Sequence, residues 1–491
     1  MGRQSQIEID LDVIKKRSLL GVMSLVSRSF IIQAVSFVST FLLTIFLDPK
    51  IFGVFFLVSA FISFFSYFSD IGLAAALIQK KEEVTDEDLK TTFLVQQSLV
   101  IILVVLIFFL SGLVRRWYNL DQSAIYLLYA LGFSFFLSSL KTIPSVLLER
   151  SLRFNILVIP QIVETLVFNF LVVVLAWQGF GIVSFSWAVL ARGIVGLTAM
   201  YVVSPWKPAF AFSKESLSHL LKFGIPYQTN TLIAVLKDDL MTILLGRIVG
   251  TVGLGYLGWA KKWAEQPLRF FMDNVLKVTF PAFSRLQDDR EALKNAVEKS
   301  IFFLSFLVFP ILVGFSVLAS DLVRIIPRYL KWQPALLALY FYCFNSAWAT
   351  VSTSMTNLLN AIGKIKTTFK LMVMWLVLTW ASMPAFAAKF GYNGVAFAAA
   401  IISLSSLLAI WLARKEVNFD LFSPVGKPLL AALVMGLTVF LFKPPILNLG
   451  FSVSIRVLVG AMSYLLACWI LIGPSLFADI SRIYHEIRKN R

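Results

Sequence analysis

From Phe93 to Val114 the chain runs without a charged residue, and from Ile301 to Ala319 it does so again. No other feature constrains the fold as tightly, because about 20 apolar residues of helix cross a hydrocarbon core of about 30 Å. Composition agrees with that reading. The 491 residues are 58% hydrophobic and 14% charged, with a mean hydropathy of +0.82, where a soluble chain carries about 25% charged residues. The expected fold is all-α, a polytopic membrane protein of about fourteen transmembrane helices.

The net charge of +17 would point to nucleic acid in a soluble domain. Here the basic residues sit mostly between spans and no nucleic-acid motif accompanies them, so no nucleic-acid partner is expected. Cys343 and Cys468 both lie in apolar segments, which argues against a disulfide framework. His219 and His485 are far from each other and from both cysteines, so neither a metal site nor a cofactor is expected. The polar start of the chain, up to Ser18, has no small-residue cleavage site before a short apolar core and reads as a cytoplasmic tail.

Hydropathy and basic residues divide the chain into a tail at 1–17, spans 1–6 over 18–203, spans 7–12 over 219–413, spans 13 and 14 over 427–473, and a basic tail at 474–491. Span 2 is expected over 51–78, span 4 over 123–147, span 7 over 219–247 and span 8 over 251–283. With both termini cytoplasmic, the inner segments hold Lys80, Lys81, Lys90, Arg150, Arg153, Arg285, Arg290, Lys364, Lys366, Lys370, Arg414 and Lys415. The outer segments are poorer, with Lys50, Arg115, Arg116, Arg247, Arg324 and Arg328 among them. That is the bias of a chain whose positive loops stay inside. Thr85-Asp86-Glu87-Asp88 has capping-box spacing and should start span 3.

The sequence also repeats itself weakly. Phe52-Gly53-Val54-Phe55-Phe56-Leu57 resembles Val252-Gly253-Leu254-Gly255-Tyr256-Leu257, and Gly179–Phe185 resembles Gly391–Phe397. Spans 1–6 therefore correspond to 7–12. An even number of spans per half gives parallel repeats about an axis along the membrane normal.

Span 8 carries charge where apolar residues belong. Lys262, Glu265, Arg269, Asp273 and Lys277 recur at steps of three and four, which puts them on one helical face with alternating sign. Four such charges facing lipid would cost on the order of 10 kcal/mol. A helix lying on the membrane surface is the plain alternative. Two observations argue against it: every later basic loop would then change sides, and span 8 corresponds to span 2.

Other ionisable residues lie deep as well. Arg28 is about ten residues into span 1, roughly 15 Å. Arg192 sits near the centre of span 6, Glu164 about eight residues into span 5, and Lys237-Asp238-Asp239 interrupts span 7. Asn345, Ser352, Thr353, Thr356, Asn357 and Asn360 stud span 10. Arg28, Arg192, Lys237, Lys262 and Arg269 are the candidate substrate-binding residues, since Arg matches phosphate with a planar fork of donors. Glu164, Asp238, Asp239, Glu265 and Asp273 are candidates for coupling or gating. For each, an ion pair between packed helices is the structural alternative.

Phe68-Ser69-Asp70-Ile71-Gly72-Leu73-Ala74-Ala75-Ala76-Leu77-Ile78-Gln79 resembles the signature after span 2 of bacterial polysaccharide flippases of the Wzx type, in the multidrug/oligosaccharidyl-lipid/polysaccharide exporter superfamily. Pro49-Lys50-Ile51-Phe52-Gly53 and Leu359-Asn360-Ala361-Ile362-Gly363-Lys364 fit the lipopolysaccharide and colanic-acid exporter branch. The resemblance covers spans 1–12. It implies two six-helix lobes around a central cavity, plus two extra helices, in the bacterial inner membrane. The implied substrate is an undecaprenyl-diphosphate-linked oligosaccharide, with membrane lipids, a polysaccharide polymerase and a chain-length regulator as partners. The implied role is transport, not catalysis. A multidrug exporter of the same superfamily is the first rival, although twelve spans would suffice for it. A membrane glycosyltransferase or polymerase is the second, and the short outer loops count against it.

Overall fold

The computed structural model describes residues 30–444 and 448–473. Arg28, both terminal tails and the first part of the expected span 1 lie outside the described residues. Every regular element among the described residues is a helix, and the protein is a multi-pass membrane protein. The chain divides into two compact units, Met1–Gly255 and Tyr256–Arg491.

In the first unit, α1 (Phe30–Phe46) is followed by α2 (Pro49–Ser66), α3 (Leu73–Gln79), α4 (Asp86–Tyr118) and α5 (Gln122–Ser139). Then come α6 (Thr142–Arg150), α7 (Phe154–Trp177), α8 (Val183–Val203), α9 (Lys214–Val235) and the start of α10 (Met241–Arg285). The capping box of α4 forms as its spacing predicts. Thr85 Oγ1 accepts the Asp88 N–H at 3.2 Å and Asp88 Oδ2 accepts the Thr85 N–H at 2.9 Å. Asp88 is buried and gathers two further donors, Lys80 Nζ at 2.6 Å and the Ser216 hydroxyl at the start of α9. One carboxylate thus ties three helix ends together.

The expected span 2 does not run to Ile78. It breaks at Ile71 (φ 49°) and Gly72 (φ 77°), both left-handed, a backbone that cannot continue a right-handed helix. Gly72 has a second reason to be glycine, because a Cβ there would lie 2.3 Å from the Gly224 carbonyl oxygen of α9. The end of α3 is then closed by Arg150, whose Nη1 donates to the Leu77 and Lys80 carbonyls at 2.8 and 2.6 Å. These would otherwise be orphaned at a helix terminus. Span 4 also breaks, at Leu140-Lys141, into α5 and α6, though there both residues keep a right-handed backbone.

Eleven helices among the described residues are long and apolar enough to cross a membrane, against fourteen expected. Two of the eleven runs, Leu232–Arg285 and Ile365–Glu416, fold back on themselves. Residues eight apart in a straight helix lie about 12 Å apart. Here a Cβ on Gly246 would lie 3.0 Å from Leu254 Cδ1, and one on Gly394 would lie 2.1 Å from the Phe386 oxygen. The chain reverses at Gly250 (φ 71°) and Gly391 (φ 62°), between spans 7 and 8 and between 11 and 12. The described part of span 1, Phe30–Phe46, is shorter than a full crossing.

A Cβ on Gly53 would lie 1.6 Å from the Thr251 oxygen, and one on Gly255 would lie 1.9 Å from the Pro49 oxygen. Each segment thus offers its glycine to the residue four before the other's. Backbone thus meets backbone between the starts of α2 and the second leg of α10.

The second unit holds the rest of α10, α11 (Arg290–Ile325), α12 (Leu336–Ala361), α13 (Ile365–Leu404), α14 (Ser406–Glu416), α15 (Lys427–Leu441) and α16 (Leu449–Ile472). Its core joins Val297 and Ile301 of α11 to Met355 and Leu358 of α12, Ala409 of α14 and Met435 of α15. The hairpin α15–α16, the expected spans 13 and 14, packs on α11. Gly436 makes room for Val313, and Tyr464 Oη donates to the Phe306 carbonyl at 2.8 Å.

Candidate functional site

Ala260, Ala264, Leu268 and Met272 recur every fourth residue along the second leg of α10, and all four are buried. Away from that face Lys261, Lys262, Arg269 and Asp273 are exposed. Glu265 lies between the two surfaces and holds two cations, one per carboxylate oxygen. Lys261 Nζ approaches Oε1 at 3.8 Å, while Arg269 Nε and Nη2 donate to Oε2 at 3.2 and 3.0 Å. The ladder therefore runs Lys261–Glu265–Arg269 at i,i+4. Lys262 and Asp273 make no hydrogen bond or ion pair among the described residues. If this leg is span 8, as the sequence predicts, such exposed charges must meet water or protein rather than lipid.

A second cluster forms in the first unit. Glu164 in the middle of α7 is buried, and Lys141 Nζ bonds to its Oε1 in a very short contact. Lys141 stands at the α5–α6 break, which turns its side chain into the helix packing. Arg192, in the middle of α8, brings Nε to 3.7 Å from Glu164 Oε2 and lies over the Phe168 ring at 5.9 Å. Gly196, one turn on from Arg192, leaves the notch for the carboxylate, since a Cβ there would lie 2.2 Å from Oε1.

Lys237, Asp238 and Asp239 occupy a single π-helical turn, Leu236–Leu240, between α9 and α10. Such turns are frequent at functional sites. Asp238 lies 3.5 Å from Lys237, while Asp239 Oδ2 accepts the Ser63 hydroxyl of α2 at 2.7 Å. The amides of α12 bridge helices. Asn345 donates to the Ala399 carbonyl at 3.1 Å, Asn357 donates to Thr279 at 3.1 Å, and Asn360 accepts from Thr368 at 2.6 Å. These three belong to helix packing.

The profile of a family described as polysaccharide biosynthesis protein matches residues 42–336, more than half of the chain. The chain belongs to this family. A teichuronic acid biosynthesis protein of Bacillus subtilis, TuaB, is 24% identical over 377 residues, 76% of this chain and 77% of its own length. The lipopolysaccharide biosynthesis protein WzxC of Escherichia coli is 28% identical over 34% of this chain and 33% of its own. Among solved structures, the lipid II flippase MurJ in an inward closed conformation superposes with a TM-score of 0.71 at 18% identity, over 91% of this chain and 98% of MurJ. That likeness shows a shared fold.

In this polysaccharide biosynthesis protein the expected site residues fall into three groups. Glu265, Arg269 and the neighbouring Lys262 and Asp273 share the α10 leg of the second unit. Glu164 and Arg192 meet in the first unit, and Lys237, Asp238 and Asp239 line the π turn. Two charges were not among the expected residues. Lys141 reads from sequence as an anchor or cap because it lies near the inner end of span 4, and the α5–α6 break that buries it carries no glycine or proline at the break itself. Arg456, a lone charge in the apolar run 451–473, is buried in α16. It pairs with Asp321 of α11 and donates through Nε to the Val439 carbonyl at 3.0 Å.

Proposed function

We propose that this protein is a flippase that moves an undecaprenyl-diphosphate-linked oligosaccharide, the repeat unit of a polysaccharide, from the cytoplasmic to the outer leaflet by alternating access. The observation that carries this reading is the α10 ladder, with exposed cations at a depth where lipid does not tolerate them, in a member of the polysaccharide biosynthesis family. Its fold is shared with a lipid II flippase, and TuaB and WzxC are named for the biosynthesis of teichuronic acid and of lipopolysaccharide. Lys262 and Arg269 bind the diphosphate, with Arg28 and Lys237 as further contacts. Glu265 holds Arg269 in place, Asp273 helps release the substrate, and Asp238 and Asp239 serve gating. The protein acts as a transporter in the bacterial inner membrane. Both termini are cytoplasmic, a reading supported by the excess of Lys and Arg in the loops on that side. A polymerase and a chain-length regulator would use what it delivers.

The test uses purified protein in vesicles that carry a sugar-labelled prenyl-diphosphate oligosaccharide in the inner leaflet. The label should become accessible from outside at a rate that scales with protein. Vesicles that contain correctly inserted protein, leave the label inside, and yet extrude a cationic dye would replace this reading with the multidrug one.

A further inference from the structure

Lys141 and Glu164 form an ion pair whose side chains are only 12% and 11% exposed. As a pair they are neutral. Arg192 stands beside them, 53% exposed at its side chain and 3.7 Å from the nearer carboxylate oxygen, past ordinary hydrogen-bond reach. It donates no hydrogen bond among the described residues, so five N–H donors and a full positive charge are left over. Glu164 and Arg192 lie in the middle of their helices. A guanidinium there is too deep to reach either membrane surface easily, and lipid would not receive it.

We infer that Arg192 is a further diphosphate-binding residue, and that Lys141 and Glu164 are positioning residues that keep its guanidinium available. The inference rests on the flippase reading and adds to it a residue pair that the α10 ladder does not involve. The geometry explains how the cation stays unspent. The Gly196 notch fixes Glu164 with one oxygen against Lys141. The carboxylate is then already neutralised and holds Arg192 only loosely, while the Phe168 ring supports the guanidinium from one side. A diphosphate offers what Glu164 does not, several acceptors for a planar fork of donors. Without Lys141, Glu164 would have only Arg192 to pair with and would compete with the substrate for it.

The experiment titrates purified protein in nanodiscs with a sugar-free polyprenyl diphosphate, after melting temperature and membrane yield have shown each variant to be folded. Arg192→Ala should weaken binding about 10- to 100-fold, the range of charge-assisted hydrogen bonds, and Arg192→Lys should recover part of that. Lys141→Gln should also weaken binding, and adding Glu164→Gln to it should restore affinity toward the parent. A merely structural role predicts that the double variant is at least as impaired as the single one. The inference is overturned if Arg192→Ala binds like the parent, or if the double variant is no better than Lys141→Gln. It is also overturned if phosphatidylglycerol competes as well as the polyprenyl diphosphate, which would make this a phospholipid headgroup site. Loss of binding in Arg269→Ala but not in Arg192→Ala would leave the flippase reading standing and remove this inference alone. A parent that binds no polyprenyl diphosphate would remove both.

Discussion

Arg456 and Arg269 are both arginines on membrane helices of the second unit, and their surroundings could hardly differ more. Arg456 is buried between helices, with its charge met by Asp321 and a further donor by the Val439 carbonyl. Arg269 is exposed and, among the described residues, is met only by Glu265, one turn away on its own helix. An arginine closed off by its neighbours fastens the α15–α16 hairpin to α11 and has nothing left for a ligand. One that leans on a neighbour along the same helix, where an i,i+4 pair is worth about 0.2–0.5 kcal/mol, can exchange that neighbour for a substrate. The completeness of the partner set separates these roles.

The largest effect that would test this contrast is on stability. Arg456→Ala should destabilise the protein by about 3–5 kcal/mol, because it strands Asp321 in the packing. Thermal melting in detergent would report it, and Arg456→Met with Asp321→Leu should recover most of the loss. A melting temperature unchanged in Arg456→Ala would break the comparison at its structural end. At the functional end, Arg269→Ala should weaken polyprenyl-diphosphate binding by about 1.5–3 kcal/mol with little change in melting. Glu265→Gln should slow flipping more than it weakens binding. If both variants bind and flip like the parent, the ladder is a hydrated seam and the contrast with Arg456 has no functional content. The smallest effect supplies a scale. Thr85→Ala removes one half of the α4 capping box and should cost about 1 kcal/mol, read by melting, with diphosphate affinity unchanged. A change in affinity there would mean that stability losses leak into the binding assay.

Much of the fold was legible in the residues. Uninterrupted apolar runs such as Phe93–Val114 left little choice but membrane helices, and the Thr85–Asp88 spacing located the start of α4. The period of Lys262, Glu265, Arg269 and Asp273 put charge on one side of α10 and Ala264 and Leu268 on the other. Less legible was where helices stop being straight. Ile71 is a poor candidate for a left-handed residue on sequence grounds, so the break after span 2 appears only once Gly72 is seen against Gly224. Partnership was harder still. The alternating stripe suggested Lys262 as the cation beside Glu265, whereas Lys261 takes that place, since a flexible lysine at i−4 reaches the carboxylate that Lys262 leaves.

The sequence by itself determined the solvent of this protein, the helical form of its backbone and the side of α10 that carries charge. Those follow from hydropathy and the 3.6-residue period, which are local properties. Only the tertiary structure decided which charges are spent and which remain. That depends on residues far apart in the chain, on Lys141 reaching Glu164, on Asp321 reaching Arg456, and on Gly196 leaving room for a carboxylate. A charge in a helix is a local fact, but its partner arrives through packing, and packing is where the candidate site was made.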